Sequence, residues 1–205
     1  MAGVIEKVTA FIIHEANDGQ RLLLIEHPNA GIQLPAGTVE ANETPEEAAL
    51  REAAEETGLT TVSIQRYLGW TDDTPPEGHK VVLAAAPVYA RPDITSFQWA
   101  WLRRGIVVAV KRTAAGFSQV TYEEFDRLPD PQYVTMNITG WVADEMLTES
   151  RRRHFFRLAF HGAPAEPWTV HTDHHDFRLF WAPLAELPEL IYPQNAWLAY
   201  FNQAE

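Results

Sequence analysis

Glu52, Glu55 and Glu56 stand three and four positions apart in the stretch Arg51-Glu52-Ala53-Ala54-Glu55-Glu56. On an α-helix, residues at those separations share one face. Three carboxylates so placed repel one another, and a divalent cation relieves that repulsion. Magnesium takes oxygen ligands, keeps several of its waters and bridges to substrate phosphates. A bare pattern of this kind is by itself no more than a solvated acidic face. The residues around it carry the distinction.

The elements that must hold these carboxylates are readable on both sides. Thr44-Pro45-Glu46-Glu47 opens a helix, with Thr44 as N-cap, Pro45 at the first helical position and Glu47 closing a capping box. Alanines and Leu50 continue it to Thr57, and Gly58 stands where a left-handed residue ends a helix. Upstream, residues 4–14 and 21–26 form an expected hairpin around the turn Asn17-Asp18-Gly19. The run Leu22-Leu23-Leu24-Ile25 fits a strand buried on both faces. Residues 32–34 lead into a chain reversal at Pro35-Ala36-Gly37. Downstream, residues 61–70, 80–90, 105–110, 155–161 and 177–181 read as strands. Residues 122–128 and 139–153 read as helices, the second ending in Arg151-Arg152-Arg153, and one or two closing helices fall within 183–201, interrupted at Pro188 and Pro193.

From Gly37 to Leu59 the chain reads GTVEANETPEEAALREAAEETGL. Gly37, Glu43, Arg51-Glu52, Glu55-Glu56 and Gly58 fall at the fixed positions of the Nudix box, and the small Ala53 and aliphatic Leu59 complete it. The segment resembles the Nudix hydrolase family. The resemblance implies an α/β fold, an α/β/α sandwich around a mixed β-sheet, and magnesium-dependent hydrolysis of a nucleoside diphosphate linked to another moiety, with manganese as the alternative metal. It implies Glu52, Glu55, Glu56 and the Ala36 carbonyl as metal ligands. It implies Glu43 and Arg51 as residues that hold the loop against the helix, with Gly37 supplying backbone freedom. The base is Glu52 or a loop carboxylate such as Glu77, Glu123 or Glu124.

Composition limits the alternatives. The chain has 205 residues, 46% of them hydrophobic, and a net charge of -12. That fits one catalytic domain, residues 1–205, whose acidity disfavours a long nucleic-acid partner but not a small anionic substrate held through a metal. The absence of cysteine excludes disulfides, thiolate zinc sites and Cys nucleophiles. The first residues read as a strand rather than a signal peptide, and no apolar run would span a bilayer, so the expectation is a cytoplasmic protein without a membrane partner.

The resemblance covers residues 4–90 and the stretch near the end, 177–188. Residues 92–153 read as an insertion of about sixty residues within the domain. Trp99, Trp101 and Trp141 in it suggest an apolar contact surface, and we expect a homodimer built partly on this segment, which also borders the substrate cleft. Outside the box, no coenzyme A pattern occurs in residues 21–37. Pro75 and Pro76 lie near the proline of the ADP-ribose group, and the tyrosine of the diadenosine polyphosphate group is missing. The cluster His171-Thr-Asp-His-His-Asp176 could contact substrate through His171 and His174. Read as extended, it sets His171, Asp173 and His175 on one face, but its spacing matches no closed zinc pattern. Two other functions compete with the hydrolase. One is a non-catalytic Nudix-fold sensor of a nucleotide derivative that regulates a partner; the other is action on capped RNA. Retention of all three box glutamates favours the enzyme over the sensor.

Overall fold

The computed structural model describes residues 3–128, 130–165, 167–172 and 175–202. In chain order the strands are β1 (Ile5–Ala16), β2 (Gly19–His27), β3 (Gly31–Gln33), β4 (Ala36–Thr38), β5 (Val62–Asp72), β6 (His79–Val82), β7 (Ala86–Tyr89), β8 (Gln98–Leu102), β9 (Val107–Ala114), β10 (Phe117–Phe125), β11 (Val134–Ala143), β12 (Leu147–Thr148), β13 (Arg151–Phe160), β14 (Trp168–Thr172) and β15 (His175–Pro183). Helix α1 (Pro45–Thr57) follows β4, and α2 (Gln194–Asn202) follows β15. The chain divides into two compact units. One comprises Lys7–Thr71 and Arg153–Glu205 and carries the box; the second comprises Met1–Glu6 and Asp72–Arg152.

The box unit is built on a sheet ordered β14-β15-β2-β1-β13-β5, with β3 paired to β2 and β4 paired to β1. The apolar strands bury both faces, because side chains alternate along a strand. Val8, Ala10, Ile12, Leu23, Ile25, Phe156 and Leu158 pack on one side with Ala48, Ala49 and Ala53 of α1. Phe11, Ile13, Leu22, Leu24 and Phe155 face the other side and pack with Phe201, Trp197 and Tyr200 of α2. A sheet with a helix over each face is the mixed α/β sandwich expected, and the Leu22–Ile25 run is buried on both sides. Methyl-sized side chains on α1 let its backbone settle close to the sheet.

The second unit is a sheet ordered β12-β6-β9-β10-β11-β7-β8. Its core gathers Val82, Val88, Leu102, Val108, Val120 and Val142. The expected helices at 122–128 and 139–153 are strands instead. In β10 and β11, Val120 and Val142 are fully buried while Glu123 and Thr139 point outward, a period of two. Their β-branched residues pack better on a pleated surface than on a helix. Arg151–Arg153 opens β13 rather than ending a helix. The unit also starts earlier than residue 92. β6 pairs with β9 and β12, and β7 pairs with β11, so residues 80–90 belong to this sheet. Thr148 Oγ1 donates to the Gly3 carbonyl at 2.7 Å and the Ile5 N–H to the Ser150 carbonyl at 3.0 Å, which joins the first residues to the unit. No described helix is long and apolar enough to cross a membrane.

Candidate active site

Helix α1 begins and ends as its residues dictate. Thr44 accepts the Glu47 N–H, the Glu47 carboxylate accepts the Thr44 N–H at 2.8 Å, and Pro45 occupies the first turn. Gly58 takes φ 72°, and its N–H closes on the Ala54 carbonyl at 2.9 Å. The last turn is tied down from β14, where the Trp168 indole N–H donates to the Thr57 carbonyl at 2.9 Å. With both ends set, the rotation of the helix is determined by its buried alanines, and the face bearing Glu52 and Glu56 turns to β4.

Strand β4 is held by β1, with Ala36 opposite Thr9 and Thr38 opposite Lys7. Two carboxylates of α1 accept N–H groups from this strand. Ala36 donates to Glu56 Oε2 at 2.9 Å and Thr38 donates to Glu52 Oε1 at 3.2 Å. Gly37 lies between them, and its reason is room rather than an unusual backbone angle. A Cβ there would stand 1.8 Å from the Glu52 carboxyl carbon. The expectation of backbone freedom is corrected accordingly, since Gly37 is absent from the glycines of positive φ.

Arg51 locks the loop to the helix. Its Nε donates to Glu43 Oε1 at 2.8 Å and its NH2 group to Glu43 Oε2 at 3.0 Å, a two-pronged pair. The same NH2 group reaches the Thr38 carbonyl at 3.1 Å, and NH1 donates to Glu52 and Glu55, both at 2.9 Å. The guanidinium beside Glu43 holds that carboxyl below its ordinary range. Burial pushes Glu52 the other way, up from its ordinary value, against the opposing influence of Arg51. A part-buried carboxylate whose charged form is disfavoured by desolvation gains from a nearby cation.

The donor set is therefore carboxylate oxygen on one helix face, suited to a hard divalent ion. Among the described residues, no three Asp, Glu or His side chains close around one point. Arg51 supplies the neutralising charge in this arrangement, with Glu55 turned to it and more than half exposed. Rotating the Glu55 side chain back toward Glu52 and Glu56 requires only rotamer changes on the helix surface.

Beside β4 lies a cavity of about 130 Å³, bordered by Ala36, Gly37 and Glu56 on one side and by Phe177, Trp197 and Gln194 on the other. Arg153 also lines it, buried to 7% exposure, with its guanidinium 4.1 Å from the Trp197 ring centre and its NH1 3.0 Å from Thr9 Oγ1. These residues escape sequence reasoning because β13, β15 and α2 bring them to the box from far along the chain. A buried arginine also gives no sequence signal when its neighbours suggest a helix end.

The remaining expected residues lie on other elements. Glu77 is in the second unit, where it lines a pocket with Pro75, His79 and Lys80. Glu123 and Glu124 are on β10 in that unit, engaged by Asn137 and Tyr122. His171 lies on β14, paired across the hairpin with Asp176 at 2.8 Å, both side chains largely exposed. Thr172 pairs with His175, so the chain reverses here and the extended reading of the cluster is corrected. Asp173 and His174 lie outside the described residues.

Residues 6–100 match the family described as NUDIX domain. A stretch of 51 residues is 51% identical to the 8-oxo-dGTP diphosphatase candidate YtkD of Bacillus subtilis (strain 168). That match takes in 25% of this chain and 32% of YtkD, so the chain spans about a third of the length of the curated relative it matches. Among solved structures, the NUDIX domain of Shewanella oneidensis NrtR complexed with ADP ribose superposes with a TM-score of 0.48 at 12% identity, covering 100% of this chain and 90% of that one. The Ap4A hydrolase of C. elegans does so with a TM-score of 0.44 at 12% identity, covering 98% of each. At these scores neither likeness supports an inference about substrate.

Proposed function

Residues 6–100 match the NUDIX domain, and we propose that the chain is a Nudix enzyme, a magnesium-dependent hydrolase of a pyrophosphate bond in a nucleoside diphosphate linked to another moiety. The observation that carries the reading is the acidic face of α1 pressed on β4, with the part-buried Glu52 and with Glu56 bonded to the strand beside an aromatic-lined cavity. The 8-oxo-dGTP diphosphatase name of the Bacillus subtilis relative agrees with a small nucleotide substrate.

Glu52, Glu55, Glu56 and the Ala36 carbonyl would hold the ion. When bound, a divalent cation neutralises pyrophosphate charge and lowers the pKa of a coordinated water. The chain's own residues do the rest. The Arg51–Glu43 pair fixes the loop that follows β4, so that the carboxylates keep their spacing. Gly37 leaves space for the Glu52 carboxylate against the backbone. Glu52, with its proton affinity raised by burial, is suited to take the proton of the attacking water. Arg153 and Lys7 at the cavity wall bring positive charge to an otherwise acidic site. No covalent enzyme intermediate is required.

The test is a screen of nucleoside di- and triphosphate derivatives with magnesium, read by release of phosphate or pyrophosphate. Turnover of at least one nucleotide is expected. Tight nucleotide binding with no turnover across the panel would overturn the hydrolase in favour of a sensor.

A further inference from the structure

A second cavity in the box unit, of about 680 Å³, lies between the β1–β2 turn and β15 and shares no lining residue with the cavity beside β4. On β1, Thr9 stands opposite Ala36, while His14 lines the second cavity. Those two positions are roughly 16 Å apart at the rise of an extended chain. Strand register puts three donors on one face here. His14 stands opposite Arg21, and Trp181 stands opposite Leu23, the next residue of β2 on the Arg21 side. All three line the cavity, and the His14 and Trp181 rings are 5.5 Å apart. Two of these residues carry an enclosed N–H with nothing to bond. Neither Arg21 Nε nor the Trp181 indole nitrogen has an acceptor among the described residues. An N–H shut away from both water and acceptor is costly, and two on the wall of one cavity call for an acceptor that enters it.

We propose that this cavity is a second ligand site, separate from the acidic face of α1, that takes a small organic monocarboxylate carrying a flat ring. Arg21 bonds through NH2 to one oxygen of Asp18 at 2.6 Å, an exposed pair at the hairpin turn. Such a pair contributes little and gives way readily. Its release lets the guanidinium pivot and opens Nε to the cavity. A ligand carboxylate then takes Nε together with a terminal nitrogen, the two-pronged pairing that Asp18 does not make. Arg178 supplies a second positive charge on the wall. It bonds Glu26 through NH1 at 2.6 Å, which leaves the rest of its guanidinium to a ligand. The ring of the ligand has Phe180, Trp181 and two prolines, Pro164 and Pro167, to lie against. The volume suits a small molecule. Glu15 and Asp18 also line the cavity, so a doubly charged phosphate is repelled more than a singly charged carboxylate.

The experiment titrates benzoate into the full chain, by calorimetry and by tryptophan fluorescence, beside its uncharged analogue benzamide and beside phenyl phosphate. Chelator is present throughout, so that no metal on the acidic face takes the carboxylate. Benzoate should bind once per chain at millimolar concentration or below and change the fluorescence, because the Trp181 N–H gains a partner. Benzamide should bind roughly tenfold more weakly or worse, and phenyl phosphate more weakly than benzoate. Arg21→Lys keeps the positive charge and loses Nε with the planar fork, and it should weaken benzoate by roughly tenfold or more. Trp181→Phe keeps a ring and loses the N–H, and it should weaken benzoate and remove the fluorescence change. Absence of benzoate binding, equal affinity for benzamide, tighter binding of phenyl phosphate, or benzoate binding unchanged by Arg21→Lys would each overturn the proposal. Should Trp181→Phe fail to fold, Arg21→Lys, beside the exposed turn, decides alone. Every one of these outcomes leaves the hydrolase reading untouched.

Discussion

At the residue scale, the account turns on how closely the Glu52 carboxylate approaches the backbone of β4. Replacing Gly37 with alanine puts a methyl carbon 1.8 Å from the Glu52 carboxyl carbon, a distance no side chain tolerates. Glu52 has to swing away, breaking its bond with Thr38 and its spacing to Glu56. Gly37→Ala should fold with a loss of about 1–3 kcal/mol. It should also lose the magnesium-dependent thermal stabilisation expected of the parent, in which an ion bound to the native carboxylate face alone would raise the melting temperature. Differential scanning fluorimetry with and without millimolar magnesium checks this, and an unaltered magnesium shift in the variant would refute the steric role. Much of this site was legible in the sequence. The three glutamates, Gly37, Glu43 and Arg51 lie within one continuous segment whose spacing is governed by a single helix. The cavity wall was not legible, because Arg153, Phe177, Gln194 and Trp197 reach it only through the pairing of β13 and β15 with distant strands and the docking of α2.

At the element scale, α1 was predictable because its caps are local, and each one forms as expected. Strands β10 and β11 were not, because Tyr122-Glu123-Glu124-Phe125 has residues common in helices and the strand it pairs with lies beyond a loop. Strand β10 has its own titration. The Tyr122 hydroxyl donates to Glu124 Oε1 at 2.5 Å, and burial, with this bond next, pushes the phenol up to about 12 from its ordinary 10.0. The folded state thus holds the Tyr122 proton more tightly than the unfolded chain does. The resulting stability is fully present below pH 10 and is lost as pH rises through 12. Tyr122→Phe should remove this alkaline dependence, leaving a flatter melting temperature between pH 10 and 12 than the parent has. Tyrosinate absorbance should show one late-titrating phenol in the parent that the variant lacks. Superimposable pH profiles would refute the assignment.

At the scale of the whole molecule, the second unit carries apolar surface that its own core does not use. Trp141 is buried, with Arg112 5.1 Å from its ring, but Trp99 and Trp101 are 44% and 58% exposed. Both project from one face of β8, at the end of the seven-stranded sheet. An edge strand bearing exposed aromatics is a ready template for pairing with another chain. We expect a homodimer formed through this edge, with parent mass doubled in sedimentation and light scattering, and with a Trp99→Ser, Trp101→Ser variant monomeric at the same concentration. A parent that stays monomeric at high concentration would refute it.

The central claim is that the carboxylate face of α1 performs metal-dependent cleavage of a pyrophosphate bond. The most direct measurement is steady-state turnover of a nucleotide substrate found in the screen, with magnesium and with excess chelator, for the parent and for Glu56→Gln. The side-chain oxygen of the introduced glutamine can still accept the Ala36 N–H, so the fold is kept while a hard anionic ligand is lost. The account predicts turnover in the parent that vanishes with chelator, and a fall in kcat of at least about a hundredfold in Glu56→Gln at an unchanged melting temperature without metal. Parent activity that persists in chelator, or a Glu56→Gln variant that turns over near the parent rate, would contradict it.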